Sequence, residues 1–347
     1  MQLKSPSIFI GVQGNGYISF GSGQPDLPPP KEVYDILPTY RSFKYGLVQG
    51  QENLRSELTK EVPRSRKENF VITNGASEAL DLVFRTFNPK DKILLHKPYY
   101  YSYLPLLTMN HLEPVFTETC AGKIDLDDFD SKVRDCKAVL INSPSNPTGR
   151  VQDVSTLKKI EKLCADLDIT IISDEVYKDL IYERENYMLS GNHVVTINSF
   201  SKTFGMCGFR VGYMYSNDQK IVDKAIEMKT HTSMNTNILG QEMAFEALKV
   251  PKEYISKQVK IWEERRDFIY KGLTDLGLEL WKPEGAFYVL PKVKEAEKLV
   301  WDLYKKEKVI TYLGDWFGAP GRLRLSYALD IEKIEEGLKR IRKILNS

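Results

Sequence analysis

Three polar clusters in this sequence carry residues able to do covalent and acid–base chemistry. They are Ser143-Pro144-Ser145-Asn146-Pro147-Thr148-Gly149, Ser173-Asp174-Glu175-Val176-Tyr177 and Ser199-Phe200-Ser201-Lys202-Thr203-Phe204-Gly205. Lys202 brings an amine, the group that condenses with a carbonyl, and Asp174 brings a carboxylate. Asn146 to Asp174 and Asp174 to Lys202 are both intervals of 28 residues, each suited to one strand–helix–strand unit. The clusters can therefore converge on one pocket. Singly each is ordinary: Asn-Pro-Thr-Gly makes a turn, an Asp after a strand caps a helix, and a lone Lys is a solvated surface residue. Their order, each following an apolar strand, is what makes them specific.

A fourth cluster, Thr73-Asn74-Gly75-Ala76-Ser77-Glu78-Ala79, reads as a strand end followed by a helix start. Such a junction presents free backbone N–H groups and the positive end of the helix dipole to an anion. Gly75 and Ala76 let the backbone come close, and Ser77 adds a hydroxyl. Taken alone, the same residues describe a plain helix cap.

The elements that must position these groups alternate along the chain. Apolar runs predict strands at Phe70–Thr73, Lys92–His96, Pro114–Thr117, Ala138–Asn142, Thr170–Ser173, Val194–Asn198 and Val211–Tyr215. Between two of them, Leu157, Ile160, Cys164 and Leu167 recur at helical spacing. The fold class is α/β: a large domain with a mainly parallel seven-stranded sheet covered by helices, plus a smaller α+β domain. Open sheets of this kind place ligands at the carboxyl ends of their strands, where the three clusters fall.

The Gly- and Pro-rich opening, from Gly11 to Pro30, reads as loop with a short strand at Tyr17–Phe20. The last third predicts a long helical region over Ile238–Leu276, short strands near Phe287–Leu290 and Arg322–Tyr327, and a closing helix with Ile331, Ile334, Leu338, Ile341 and Leu345 on one stripe. Residues 41–245 are expected to form the large domain, and 1–40 with 246–347 the small one.

The 347 residues carry 49 basic and 47 acidic side chains, a net charge of +2, which leaves no electrostatic footprint for nucleic acid. Small molecules are the expected partners. Four widely spaced cysteines show no metal-ligand pattern, so no metal is expected, and reduced thiols fit a cytoplasmic protein. No segment reads as a signal peptide or a membrane span.

Taken whole, from Gly23-Gln24-Pro25-Asp26 to Arg324-Leu325-Ser326-Tyr327-Ala328, the sequence resembles the fold-type I pyridoxal-phosphate aminotransferases, the class I/II group with aspartate and aromatic aminotransferases. The strongest piece is Ser199 to Gly205 followed by Gly208-Phe209-Arg210-Val211-Gly212, which looks like the cofactor-lysine motif with its phosphate-binding arginine. The resemblance implies pyridoxal 5′-phosphate as cofactor, with Lys202 holding its aldehyde and then moving a proton between substrate and cofactor. That role needs a lysine pKa lowered by burial and nearby positive charge. It implies that Asp174 keeps the pyridine nitrogen protonated, and that Asn146 and Tyr177 donate to the ring's phenolate oxygen. The phosphate would sit on Gly75, Ala76, Ser77, Ser199 and Arg210, with Tyr45 serving the neighbouring subunit of a homodimer, as would Thr232–Thr236. Tyr100 is the choice for the ring-stacking aromatic, with Tyr99 and Tyr101 as neighbours one position away. Arg324, with Gly23 and Asn146, would bind the substrate, Arg324 gripping its α-carboxylate, and Arg322 competes for that role two residues away.

Phe209 replaces a common Trp, Leu27 a common aromatic, and the C-terminal part is compact. The implied activity is transfer of an amino group from an amino acid to a 2-oxo acid by a ping-pong mechanism. Aspartate or glutamate with 2-oxoglutarate is the leading pair, and aromatic amino acids follow. Three other functions were weighed. A carbon–sulfur lyase, decarboxylase or cyclopropane-forming synthase would share Lys202, Asp174 and Asn146. A cofactor-sensing regulator would need a DNA-binding segment, and none is read here. A dinucleotide-dependent dehydrogenase would need a G-x-G-x-x-G after a strand, which is missing.

Overall fold

The computed structural model describes Phe9, Gly14, residues 16–184 and residues 186–346. Residues 1–8, 10–13 and 15, part of the loop and signal-peptide readings, lie outside the described residues. The seven predicted strands pair in one sheet: β1 (Phe70–Thr73), β2 (Lys92–His96), β3 (Glu113–Thr117), β4 (Ala138–Asn142), β5 (Thr170–Asp174), β6 (Val194–Ser199) and β7 (Gly212–Ser216). Their order across the sheet is β1-β7-β6-β5-β4-β2-β3. All neighbours are parallel except β7, which is antiparallel to both β6 and β1. Only a one-turn helix, Phe200–Thr203, and a short 3-10 turn, Cys207–Phe209, separate β6 from β7. That is too little chain for a crossover, so the strand must return antiparallel.

The strands are buried on both sides, and alternate residues face opposite layers. Ile93 and Leu95 pack with Leu80, Val83 and Val222 of the helices Ala76–Phe84 and Gln219–His231. Leu94, between them, packs on the other face with Phe129, Leu157 and Ile160. The predicted stripe lies on the helix Val154–Asp166, where Leu157, Ile160 and Cys164 are buried and Leu167 falls just past the end.

The last third is α+β. The predicted long helix is two helices, Ile238–Leu248 and Lys252–Asp275, because Pro251 disfavours helical backbone at Val250 before it. The short strands Tyr288–Val289, Leu323–Ser326 and Tyr312–Leu313 make a small sheet. Ile18–Ser19 pairs in parallel with Val309–Ile310, which joins this stretch of the N-terminal segment to the last third of the chain. The strands at 309–310 and 312–313 and the hairpin Thr119–Cys120/Lys123–Ile124 were not read from the sequence, being two residues each.

Glu284 locks the C-terminal third to the loop after β4. Its carboxylate lies 2.9 Å from Lys123 Nζ and 2.8 Å from Arg184 Nε, with Arg150 Nε at 3.6 Å. The backbone N–H groups of Glu284 and Gly285 both donate to the Gly149 carbonyl. Among the described residues no helix is long and apolar enough to cross a membrane, and no group of His, Cys, Asp and Glu could hold a metal ion.

Candidate active site

The sheet delivers its chemistry along one edge. In register, Asn142 of β4 lies beside Asp174 of β5, and Asp174 beside Ile197 of β6, two residues before Ser199. Gly212, the first residue of β7, pairs with Ser199 on one side and Thr73 on the other. The antiparallel return therefore sets Arg210 at the edge where β1, β5 and β6 end.

These ends open on a cavity of about 630 Å³. Its walls include Gly23, Ala76, Ser77, Tyr100, Asn146, Asp174, Tyr177, Ser199, Lys202, Arg210 and Arg324. Two expected residues do not line it. Gly75 lies directly behind the wall: its φ is +78°, and a Cβ there would sit 2.4 Å from Arg210 Nη2. Tyr45 is 82% exposed, away from its own chain's cavity. The Thr232–Thr236 segment also lies off the cavity, with Met234 exposed at its centre and Thr236 bonded to the Ile72 carbonyl.

Lys202 reaches the cavity from the one-turn helix after β6 and donates from Nζ to the Gly23 carbonyl at 2.6 Å. Burial, helped by the positive charges of Arg324 and Arg210, holds its amine below the ordinary lysine value against the opposing pull of Cys207 and Asp174. Asp174 is buried, and burial raises its carboxyl to about 6 although it accepts hydrogen bonds from Tyr103 Oη at 2.6 Å and the Val176 N–H at 3.3 Å. Tyr177 Oη and Tyr288 Oη share a hydrogen bond of 2.8 Å. A Cβ at Gly23 would lie 2.4 Å from that same Tyr288 hydroxyl, so only glycine lets the N-terminal segment pass this close.

Arg324 is buried, with its guanidinium over the rings of Tyr288, Tyr312 and Phe317 at 4.7, 4.6 and 4.8 Å. It donates to Asn146 Oδ1 at 3.2 Å and to the Gly21 carbonyl, and its Nε has no partner. Arg322 lies elsewhere, stacked on Trp281 at 4.2 Å and bonded to the Leu290 carbonyl. Arg322 still pairs, as an isolated β-bridge with Lys292 just before the strand Leu323–Ser326, but its guanidinium is held by Trp281 and the Leu290 carbonyl and does not line the cavity.

A family model described as aminotransferase class I and II matches residues 15–341. The chain belongs to this family. A probable aspartate/prephenate aminotransferase of Aquifex aeolicus is 34% identical to it, over 97% of this chain and 93% of that protein. The crystal structure of the Thermotoga maritima aspartate aminotransferase superposes with a TM-score of 0.90 at 33% identity, covering 95% of this chain and 92% of that one. An aromatic aminotransferase from Pyrococcus horikoshii also gives 0.90, at 27% identity, covering 95% and 96%. The protein is a transaminase.

Several residues of the transaminase's cavity escaped the sequence reading. Ser201 lines it from within the lysine motif, Cys207 from the gap between that motif and Gly208, and Tyr288 from the short strand expected near Phe287–Leu290. Tyr312 and Phe9 gave no local signal. Tyr103, last of the tyrosine cluster, holds Asp174 from the first turn of the helix Tyr103–Met109. Of its neighbours, Tyr100 and Tyr101 line the cavity, while Tyr99 packs on Phe116 with ring centroids 5.5 Å apart.

The buried Asp174 makes ligand-free stability depend on pH. Its folded pKa lies above the ordinary 3.8, so its charge costs stability above about pH 6, and that cost disappears as pH falls below the ordinary carboxylate value. Asp174→Asn should therefore stabilise the ligand-free transaminase at pH 8, by up to about 3 kcal/mol, with the difference closing by about pH 4. Glu175, raised to about 7 by burial and in smaller part by the Asp174 charge, should shift down in the variant, which adds to the stabilisation near neutral pH. Thermal unfolding across this pH range tests it. A variant less stable than its parent at pH 8 would mean that the hydrogen bonds from Tyr103 and Val176 outweigh the desolvation.

Proposed function

We propose that the transaminase works with pyridoxal 5′-phosphate in this cavity, moving an amino group from an amino acid to a 2-oxo acid by a ping-pong mechanism. The observation that carries the reading is the meeting in one cavity of an amine below its ordinary pKa, a buried carboxyl and a cradle of anion donors. The residues fit the cofactor. Gly75 leaves room for Arg210 where a Cβ would fill the cradle, and the first-turn N–H groups at Ala76 and Ser77 lack intrahelical partners. When bound, the cofactor supplies an aldehyde that takes up amino groups and a ring that accepts the electron pair of the broken Cα–H bond.

The chain's own residues do the rest. Lys202 would hold the cofactor's aldehyde and, when free, would carry the proton removed from the substrate Cα. Asp174, steadied by Tyr103, would keep the proton on the pyridine nitrogen. Asn146 and Tyr177 would donate to the phenolate oxygen, and Tyr100 would supply the aromatic face for the ring. Gly75, Ala76, Ser77, Ser199 and Arg210 would hold the phosphate. Arg324 turns its guanidinium from Asn146 and the Gly21 carbonyl to the substrate α-carboxylate, beside the Gly23 backbone, and so orients the Cα–H bond.

Aspartate or glutamate with 2-oxoglutarate remains the leading substrate pair, supported by the names of the Aquifex and Thermotoga relatives. Aromatic donors follow, supported by the Pyrococcus relative and the tyrosine walls. Residues 41–245 form the large domain, and 1–40 with 246–347 the small one. The seven-stranded sheet and the Thr119–Cys120 hairpin lie in the first range, and the three-stranded sheet and the Ile18–Ser19/Val309–Ile310 pair in the second. Unpaired thiols fit a reducing, cytoplasmic setting. The working unit is a homodimer in which Tyr45 reaches the phosphate site of a second copy. Its support is the exposed apolar run Leu37, Phe43, Tyr45 and Leu47, with Phe43 89% and Tyr45 82% exposed, a patch that calls for cover.

Borohydride reduction of the purified, yellow protein should abolish the visible band and leave a phosphopyridoxyl group on Lys202. Peptide mapping that finds it on another lysine would refute the assignment. Arg324→Lys keeps the charge but loses the fork, and should lower kcat/KM for every amino acid by the equivalent of roughly 3–5 kcal/mol without changing cofactor binding. Arg322→Lys should do much less, and the reverse result would exchange their roles. Light scattering should report a dimer that Phe43→Glu weakens; an active monomer at assay concentration would contradict the shared site.

A further inference from the structure

A carboxylate stands directly behind the anion cradle. Glu78 lies in the first turn of the helix Ala76–Phe84, whose N-terminus forms part of the cradle. Left alone, its negative charge would oppose the anion. Lys229, near the end of the helix Gln219–His231, places Nζ 2.9 Å from Glu78 Oε2, and its side chain is fully buried. Lysine is almost never buried unless paired, so the two are best treated as one unit.

The pair reaches the cradle through Asn74. Glu78 Oε2 accepts from the Asn74 backbone N–H at 2.5 Å and from Asn74 Nδ2 at 3.1 Å. The Asn74 carbonyl in turn accepts from Arg210 Nη2 at 3.3 Å. Asn74 is thus held between Arg210 and Glu78, immediately before Gly75 begins the cradle. On the far side, Ser233 Oγ donates to Glu78 Oε1 and accepts from Lys229 Nζ at 2.8 Å. Burial works to raise the Glu78 carboxyl, but the hydrogen bonds from Ser233, Asn74 and Lys229 bring it below the ordinary value, while burial holds the Lys229 amine below its own against the pull of Glu78. Neither Glu78 nor Lys229 lines the cavity.

We propose that Glu78 and Lys229 are positioning residues that set the cradle's affinity for the cofactor phosphate, Glu78 by bracing Asn74 and Lys229 by cancelling the charge Glu78 would present to that phosphate. The inference rests on reading the cradle as a phosphate site. It orders four proteins by the charge left beside the cradle. Lys229→Met leaves one negative charge. Glu78→Gln leaves one positive charge and keeps an oxygen for the Asn74 N–H. The double variant, like the parent, is balanced.

The test titrates the cofactor-free proteins with pyridoxal phosphate and, in parallel, with pyridoxal, following absorbance, with circular dichroism to verify folding. Lys229→Met should bind pyridoxal phosphate about tenfold more weakly, the scale of one uncompensated charge at a partly buried site, with pyridoxal little changed. The double variant should recover most of that loss, and Glu78→Gln should bind the phosphate form at least as well as the parent. A merely structural pair would weaken both single variants alike and both ligands alike, and that result would overturn the proposal. If Lys229→Met does not fold, Glu78→Gln decides alone: a tenfold loss confined to the phosphate form would refute charge balance. A parent protein that binds both ligands equally would instead refute the phosphate reading itself.

Discussion

The register of the parallel strands at their carboxyl edge is the constraint on which the rest of this site depends. Backbone hydrogen bonds between β4, β5 and β6 hold Asn142, Asp174 and Ile197 side by side, and the groups that follow emerge into one space. A slip of one residue would send Asp174 to the opposite face. The strands resist slipping because both faces are packed, Ile172 toward one helical layer and Ile171 toward the other. Core packing and site geometry are thus one requirement. The antiparallel β7 completes the edge: short chain after β6 forces the return, and the return places Arg210 where a parallel strand could not.

Electrostatic cost is concentrated where the chemistry is. Asp174 is held in a place where burial works against its charge, and the two hydrogen bonds it accepts only partly offset this. Lys202 is pushed the other way by the same burial and by two guanidinium groups. Displacing pKa values in this manner is how a site acquires groups able to exchange protons near neutral pH. The surrounding structure tolerates the cost because Glu284, with its three cations, and the buried sheet hold the loops in place.

Closure of the cavity depends on chain segments far apart in sequence. The N-terminal segment pairs with residues 309–310, and the Ser326 N–H donates to the Phe20 carbonyl, which carries Gly21 to Arg324 and Gly23 to Lys202. Arg324 is then fixed less by ion pairing than by three aromatic rings, a preorganised cage that leaves its fork free to change partners.

The sequence alone determined much of this protein. The strands and the alternation of strand and helix follow from apolar runs and helical spacing, which are local properties of the chain. The clusters holding Lys202, Asp174 and Asn146 stood out as candidates because each falls at the end of an apolar strand and the two intervals match. Tertiary structure decided what depends on partners distant in sequence. Tyr103 meets Asp174 from 71 residues away, Tyr312 faces Arg324 across a strand pair too short to leave a pattern, and Lys229 finds Glu78 from 151 residues away. The difference between Arg324 and Arg322 belongs to this second class: both fit the alternation of a strand, and only the partners of their side chains, Trp281 for one and the cavity's aromatic rings for the other, separate them. Periodicity records which face a residue takes. It does not record what stands opposite, because that is set by the folding of the sheets against each other.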